Sequence, residues 1–274
     1  MSILYIYNKQ NYHYEIIESI ISQYNKILNI PVQNTVQIYV SVYKNISFQS
    51  YILTKYPNIQ FKRPTDYDYY IDCTIYDKNY DTIEHNSVTK VYIAHEITTR
   101  LEALSNVYFL TPLAKRYIQM NILPFSNIKV KSKIPIYIIQ GHLLRRNLNL
   151  LHKILSVDYT YEFKIVLLTR SAMLPELLPY GNKIELKQDL NYINFHMEFT
   201  SAYCIIPLIT KVSHPQYYTS KLTSSINYAS GYNLNCLIDK DLQDIYMLNN
   251  VTVFDDETNI VKAFKTTLDN FYKK

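Results

Sequence analysis

The sequence predicts an α/β protein made of two consecutive halves, each built on a parallel sheet. Three observations carry that prediction. Short apolar runs of strand character alternate along the chain with runs whose apolar residues recur at helical spacing. A polar step, Lys131-Ser132-Lys133, interrupts the series near its middle. Directly after it, IPIYIIQGHLLRRN, from Ile134 to Asn147, restarts the alternation with a strand, a glycine and a basic turn. Alternation of this kind calls for right-handed crossovers, which leave successive strands parallel.

In the first half, Ser2 to Tyr7 reads as a strand and Asn8 to Tyr12 as a polar loop. Tyr14, Ile16, Ile17, Ile20, Ile21, Tyr24, Ile27 and Leu28 then fall on one helical face, and Asn29-Ile30-Pro31 ends that helix. Val36 to Val42 is a second strand and Phe48 to Tyr56 a short helix before Pro57. Tyr69 to Tyr76, Lys90 to Ala94 and Val107 to Leu110 are further strands, and Thr111-Pro112 has the cap-then-proline pattern of a helix start.

The second half opens on the Ile134 strand and a helix holding Leu148, Leu150, Leu151, Ile154 and Leu155. Phe163 to Leu168, Lys183 to Leu186 and Tyr203 to Ile206 are strands, with a helical turn over Met173 to Leu178 and a helix over Tyr192 to Phe199. The run Thr219 to Ser225 opens a helix that stops at Gly231. Asn233 to Ile238 is a strand, Asp239 caps a helix to Leu248, and Val251 to Phe254 is the last strand. Asp255 or Asp256 caps a terminal helix carrying Ile260, Phe264, Leu268 and Phe271. The expected domains are 1–130 and 134–255, with the terminal helix, 256–274, packing back on the first.

Composition narrows the function classes. The chain has 274 residues with 29 Tyr, no Trp, three Gly and three Cys. Such a bias fits an A+T-rich genome, so the tyrosines are not read as base-stacking platforms. A net charge of +5 from scattered Lys and Arg is not the basic stripe of a nucleic-acid binder. There is neither a secretory signal nor an apolar run of membrane-spanning length, and Cys73, Cys204 and Cys236 sit singly in apolar runs. A cytoplasmic protein with buried reduced thiols is expected.

Ligands of a parallel sheet sit beyond the carboxyl ends of its strands. There the first half carries His13 and Glu15, where the first loop enters its helix, and His95-Glu96 after the Lys90–Ala94 strand. Either imidazole can serve as a general base near neutral pH, though each taken alone reads more readily as a surface or capping residue. In the second half, Gly141 ends a strand and is followed by Arg145 and Arg146, an arrangement suited to an anion. Asp66-Tyr67-Asp68 has the spacing of a carboxylate pair for a divalent metal, but a solvated turn beside Pro64 is the favoured reading.

The second half also resembles a known family. GHLLRRNLNLLHKIL, KIVLLTRS, YCIIPLI and HPQYYTSKLTSSINYASGYNLNCLI follow in the order of the donor half of GT-B glycosyltransferases, over about 130 residues. KLTSSINYASGY is similar to segments of glycosyltransferase-like proteins of large DNA viruses, which would place the protein in the host cytoplasm. The resemblance implies two Rossmann-like domains facing across a cleft and transfer of a sugar from a nucleotide-sugar to a hydroxyl of a glycan, lipid or protein, with no cofactor and no metal. It implies that Arg145 or Arg146 and Lys221 neutralise the pyrophosphate, with Gly141, Thr223, Ser224 and Ser225 beside it and Thr169, Arg170 and Ser171 lining the cleft. Glu185 to Gln188 would meet the base. Glu15 and Glu96 would lie on the acceptor side, with His13, ahead of His95, as base of an inverting reaction; a retaining reaction would need none. Two family features are absent: His214 to Tyr218 replaces an E-x-F-G-type loop, and Asn8 to His13 replaces a glycine-rich one. A metal-dependent GT-A-type transferase using Asp66 and Asp68, and a non-catalytic nucleotide- or sugar-binding module, are the rivals. The chain has no G-x-G-x-x-G of a dinucleotide oxidoreductase.

Overall fold

The computed structural model describes residues 1–10, 12–82, 88–120, 122–126 and 129–273. The chain forms two compact units, Met1–Leu123 with Ser220–Leu222, and Pro124–Thr219 with Thr223–Lys274.

In the first unit, strands β1 (Ser2–Asn8), β2 (Val36–Val42), β3 (Tyr69–Ile75), β4 (Thr89–Ala94) and β5 (Val107–Phe109) make one parallel sheet in the order β2-β1-β3-β4-β5. The order reverses between β1 and β3, so the crevice of this unit lies at the carboxyl ends of those two strands. Helix α1 (Tyr14–Ile27) buries Ile16, Ile17, Ile20 and Ile21, and α2 (Ile46–Lys55) buries Phe48, Tyr51 and Ile52. Inside this packing the carboxylate of Glu18 is fully buried and accepts bonds from Tyr51 Oη at 2.6 Å and Lys55 Nζ at 3.0 Å. A charge so placed needs both partners to offset its lost hydration.

The second unit holds β6 (Ile136–Gln140), β7 (Lys164–Thr169), β8 (Ile184–Gln188), β9 (Cys204–Ile205), β10 (Asn235–Asp239) and β11 (Val251–Phe254) in the order β11-β10-β9-β6-β7-β8. All pairs are parallel, and the reversal falls between β6 and β9. This is the doubly wound order of a dinucleotide-binding sheet. Its crossovers include α4 (Leu148–Leu155), α5 (Tyr192–Ser201), α6 (Ser224–Gly231) and α7 (Lys240–Tyr246). As expected, Asp239 caps α7 by accepting the Leu242 amide.

Several expectations need correction. Among the described residues no helix follows Thr111-Pro112, and the helix nearest before it is a single turn, α3 (Thr99–Glu102). Instead residues 111–118 fold back along β5: Phe109 N donates to Arg116 O and Ile118 N to Phe109 O. The Arg116 guanidinium fixes the return by donating to the carbonyls of Glu102, Leu104 and Val107. The terminal helix α8 (Ile260–Tyr272), proposed to pack back on the first unit, belongs to the core of the second. Phe264 lies 4.6 Å from the Tyr137 ring and 5.0 Å from that of Phe163, and Tyr137 Oη bonds Thr267 Oγ1 at 2.7 Å. The helix expected from Thr219 begins only at Ser224. The three cysteines are free and buried, and among the described residues no helix is long and apolar enough to cross a membrane.

Candidate functional site

At the carboxyl edge of the first sheet, Asn8 ends β1 and is 1% exposed. Its Oδ1 accepts from Thr74 Oγ1 at 3.0 Å and from the Gln10 amide, and its Nδ2 donates to Tyr12 O. One amide therefore ties the β1–α1 loop to β3 at the point where the strand order reverses. Composition hides this role, since Asn is abundant; the signal available in the sequence is only that Asn8 closes the first strand.

The loop ends on His13, which adopts a left-handed conformation (φ 65, ψ 34) as the residue before α1. Left-handed backbone costs a non-glycine residue about 1–2 kcal/mol, and here it delivers the imidazole onto His95 with ring centroids 4.1 Å apart. Tyr12 stands edge-on to His13 at 4.5 Å, and its hydroxyl meets that of Tyr76 at 3.2 Å. The two histidines, read as alternatives in the sequence, form one cluster.

Hydrogen-bond chemistry distinguishes them. His95 Nε2 lies 3.3 Å from the Cys73 carbonyl, which can only accept, so Nε2 carries hydrogen. Burial pushes the pKa of His95 down to about 3, with the neighbouring His13 acting the same way, and the ring is neutral at physiological pH. His13 Nδ1 faces Glu15 Oε1 at 3.4 Å. Burial tends to raise the Glu15 pKa, but the bond and charge of His13 outweigh it, and the carboxylate is held below its usual range. An ionised carboxylate accepts, so a neutral His13 carries its hydrogen on Nδ1 and leaves the Nε2 lone pair available. Beside this cluster, Glu96 pairs antiparallel with Lys221, whose ammonium sits 3.0 Å from the Glu96 carboxylate, and Ile97 N donates to Ser220 O. Lys221, expected with Thr223 to Ser225 as a phosphate ligand, is thus part of the first unit.

At the carboxyl edge of the second sheet, Gly141 has φ +99. The following 3-10 turn, Leu143–Arg145, points the two arginines differently. Arg146 was expected to face an anion, but it turns inward and donates through Nε and Nη2 to the Gln140 carbonyl at 3.1 and 2.7 Å. A Cβ on Gly141 would come within 2.6 Å of Nη2, so only glycine leaves room for this cap. Arg145 is exposed, as is Arg170 after β7, and neither guanidinium has a partner among the described residues. His214 supports the turn: its Nε2 lies 2.9 Å from the Arg145 carbonyl and its Nδ1 2.7 Å from Ser213 Oγ.

Three polar atoms at this edge are buried without a partner among the described residues: Gln140 Oε1 at the end of β6, Ser171 Oγ past β7, and Ser225 Oγ in the first turn of α6. Gln140 Nε2 donates to Ser224 Oγ at 3.1 Å, which joins β6 to α6 across the reversal point. Thr223 precedes α6 but makes no side-chain cap, while Thr169 Oγ1 accepts the Ser171 amide. Of the segment expected to meet a base, Gln188 holds the Arg170 carbonyl, and Glu185 pairs with Lys164 and Lys187.

The Asp66 and Asp68 carboxylates lie at the wrong edge for a ligand site. They precede β3, and Asp68 Oδ2 accepts the Ile3 amide at the amino end of β1. Among the described residues no group of three His, Cys, Asp or Glu is placed to hold a metal ion.

No protein-family model matches the chain, and no curated protein matches it in sequence. Solved structures do. Sucrose-phosphate synthase from Thermosynechococcus elongatus is 9% identical over 98% of this chain and 90% of its own, with a TM-score of 0.55. A glycosyltransferase involved in avilamycin A biosynthesis is 9% identical over 100% of this chain and 96% of its own, at 0.54. The ADP-heptose lipopolysaccharide heptosyltransferase II of E. coli is 10% identical over 99% of this chain and all of its own, at 0.51. At such identity the likeness is one of fold: an α/β chain with two parallel sheets that matches GT-B structures over its whole length.

Proposed function

We propose that this protein is a GT-B-type glycosyltransferase that moves a sugar from a nucleotide-sugar to a hydroxyl acceptor without a metal. The observation that carries the reading is the set of partnerless buried atoms at the carboxyl edge of the second sheet. Buried polar atoms ordinarily find partners. Here Gln140 Oε1, an acceptor, lies at the same edge as two serine hydroxyls, Ser171 and Ser225, and the guanidiniums of Arg145 and Arg170, which have no partner among the described residues. A nucleotide diphosphate ester supplies what such a set lacks: hydroxyl or ring N–H donors for the amide oxygen, and phosphate oxygens for the hydroxyls, the guanidiniums and the α6 amides. The two guanidiniums and the helix dipole would offset the charge of the leaving diphosphate, the task a divalent ion performs elsewhere.

In the first unit, His13 Nε2 is the base and takes the proton of the acceptor hydroxyl, while Glu15 holds Nδ1 and stabilises the imidazolium that forms. Calorimetry with a panel of nucleoside diphosphates and nucleotide-sugars, followed by product detection with and without EDTA, tests the reading. Binding that survives EDTA, with sugar transfer to a carbohydrate, lipid or peptide acceptor, is the expected result. A protein that binds none of the panel is not a transferase. One that binds without turnover is a nucleotide- or sugar-binding module.

A further inference from the structure

We infer that His95 is a positioning residue for His13, holding the imidazole in one ring orientation and one tautomer by ring contact and steric confinement rather than by exchanging protons. The inference rests on the transferase reading for its consequence, but its geometry stands independently of it.

A left-handed residue at the end of a loop is an unstable platform for a base. His13 makes no side-chain cap to α1, and its bond to Glu15 is long, at 3.4 Å. That contact alone leaves the ring free to flip about χ2 and present Nδ1 instead of Nε2 outward. His95 restricts the flip. Its ring packs against that of His13 with centroids 4.1 Å apart and planes tilted by 48°, while Tyr12 stands against the ring edge-on at 4.5 Å. His95 is itself anchored, because Nε2–H reaches the Cys73 carbonyl on the adjacent strand β3.

The charged and titratable groups facing the pair are Glu15 from α1, Glu96 beyond β4, Lys221 from the Ser220–Leu222 segment bridged to Glu96, and Tyr12 and Tyr76 from the flanking loops. Burial, His13 and Lys221 oppose a charge on His95 and outweigh the Cys73 carbonyl and Glu15, which favour one, and the ring contact at 4.1 Å is the interaction that joins His95 to His13. A phenyl ring can supply that contact; a methyl group cannot.

The test compares His95→Phe with His95→Ala in the full-length protein. Nitrogen-15 NMR of the ligand-free wild type should show His95 protonated at Nε2 and neutral His13 protonated at Nδ1. In His95→Phe the His13 tautomer should persist, and turnover should stay within about 3-fold of wild type. In His95→Ala the His13 signals should average between tautomers, with kcat reduced about 10-fold and KM changed far less. A His13 tautomer unmoved by His95→Ala overturns the inference, as does a His95→Phe protein as inactive as His95→Ala, which would make the imidazole itself necessary. The NMR comparison needs no substrate. A failure to find transferase activity would therefore refute the functional reading while leaving this one to be decided by the spectra.

Discussion

Replacing Gly141 by alanine should destabilise the second unit by about 3–4 kcal/mol, and the loss should be coupled to Arg146. Two costs combine. At φ +99 an L-residue is strained by at least the ~1–2 kcal/mol of an ordinary left-handed residue. The new methyl would also lie 2.6 Å from Arg146 Nη2 and 3.4 Å from Cζ, so the guanidinium must withdraw from the Gln140 carbonyl. Charged hydrogen bonds of that kind contribute about 1.5–3 kcal/mol. Arg146→Ala alone gives up the same bonds without the backbone strain and should cost about 2 kcal/mol. In the double variant the clash has nothing left to displace, so its loss should hardly exceed that of Gly141→Ala. The cycle should therefore show an interaction energy of about −1.5 to −3 kcal/mol. Urea unfolding followed by circular dichroism and tyrosine emission measures it, since the chain has 29 Tyr and no Trp. If the units unfold separately, only one transition should move. Additivity within about 0.5 kcal/mol would show that Arg146 does not depend on the bare Cα of Gly141.

His13→Ala should lower turnover about 100-fold or more while leaving nucleotide binding intact, measured by calorimetry beside initial rates; full activity would point to a retaining reaction. Arg145→Ala should weaken nucleoside diphosphate binding by about 1.5–3 kcal/mol, whereas Lys221→Ala, which breaks a partly exposed pair with Glu96, should change stability by no more than about 1 kcal/mol; a larger effect of Lys221→Ala on diphosphate affinity would restore that lysine to the donor site. Burial pushes the Asp72 pKa from 3.8 up to about 6, against the Thr74 amide it accepts from, so the folded state binds the proton more tightly than the unfolded chain. Stability should then fall as pH rises from about 4 to about 6, and Asp72→Asn, which keeps an acceptor for Thr74, should be more stable than wild type by up to about 3 kcal/mol at pH 7.5 and equal to it near pH 4; a pH-independent difference in urea midpoints would reject this.

Much of the fold was legible because strand formation here is local. Apolar runs such as Ile136–Gln140 and Lys164–Thr169 are buried almost throughout, and buried parallel strands read as near-continuous apolar segments. Segments whose structure depends on a distant partner were not legible. Thr111-Pro112 carries a good local helix signal, but Arg116 reaches three carbonyls and draws the chain back to β5. The stretch before Ser224 likewise has helical composition, yet Lys221 is held extended by its bridge to Glu96. In both cases a long-range contact overrides a local preference of a few tenths of a kcal/mol per residue.

The candidate sites divide along the same line. Sequence order alone puts His13, His95, Gly141, Arg145, Arg146 and Arg170 near the carboxyl ends of strands, because each lies shortly after an apolar run that reads as a strand. The direction a side chain then takes is decided by backbone features one residue long. A positive φ at Gly141 opens the space that Arg146 fills, so of two adjacent arginines one becomes structural and the other stays exposed. A positive φ at His13 swings its ring onto His95, so two histidines 82 positions apart meet where either alone would have looked like a surface residue. His13 closes the β1–α1 connection and Gly141 opens the one from β6 to α4, the places where a doubly wound sheet leaves its ligand crevice. Left-handed backbone is costly at His13 and not at Gly141; in the first unit it sets the direction of the side chain the proposed chemistry depends on, and in the second it draws Arg146 inward and leaves Arg145 exposed.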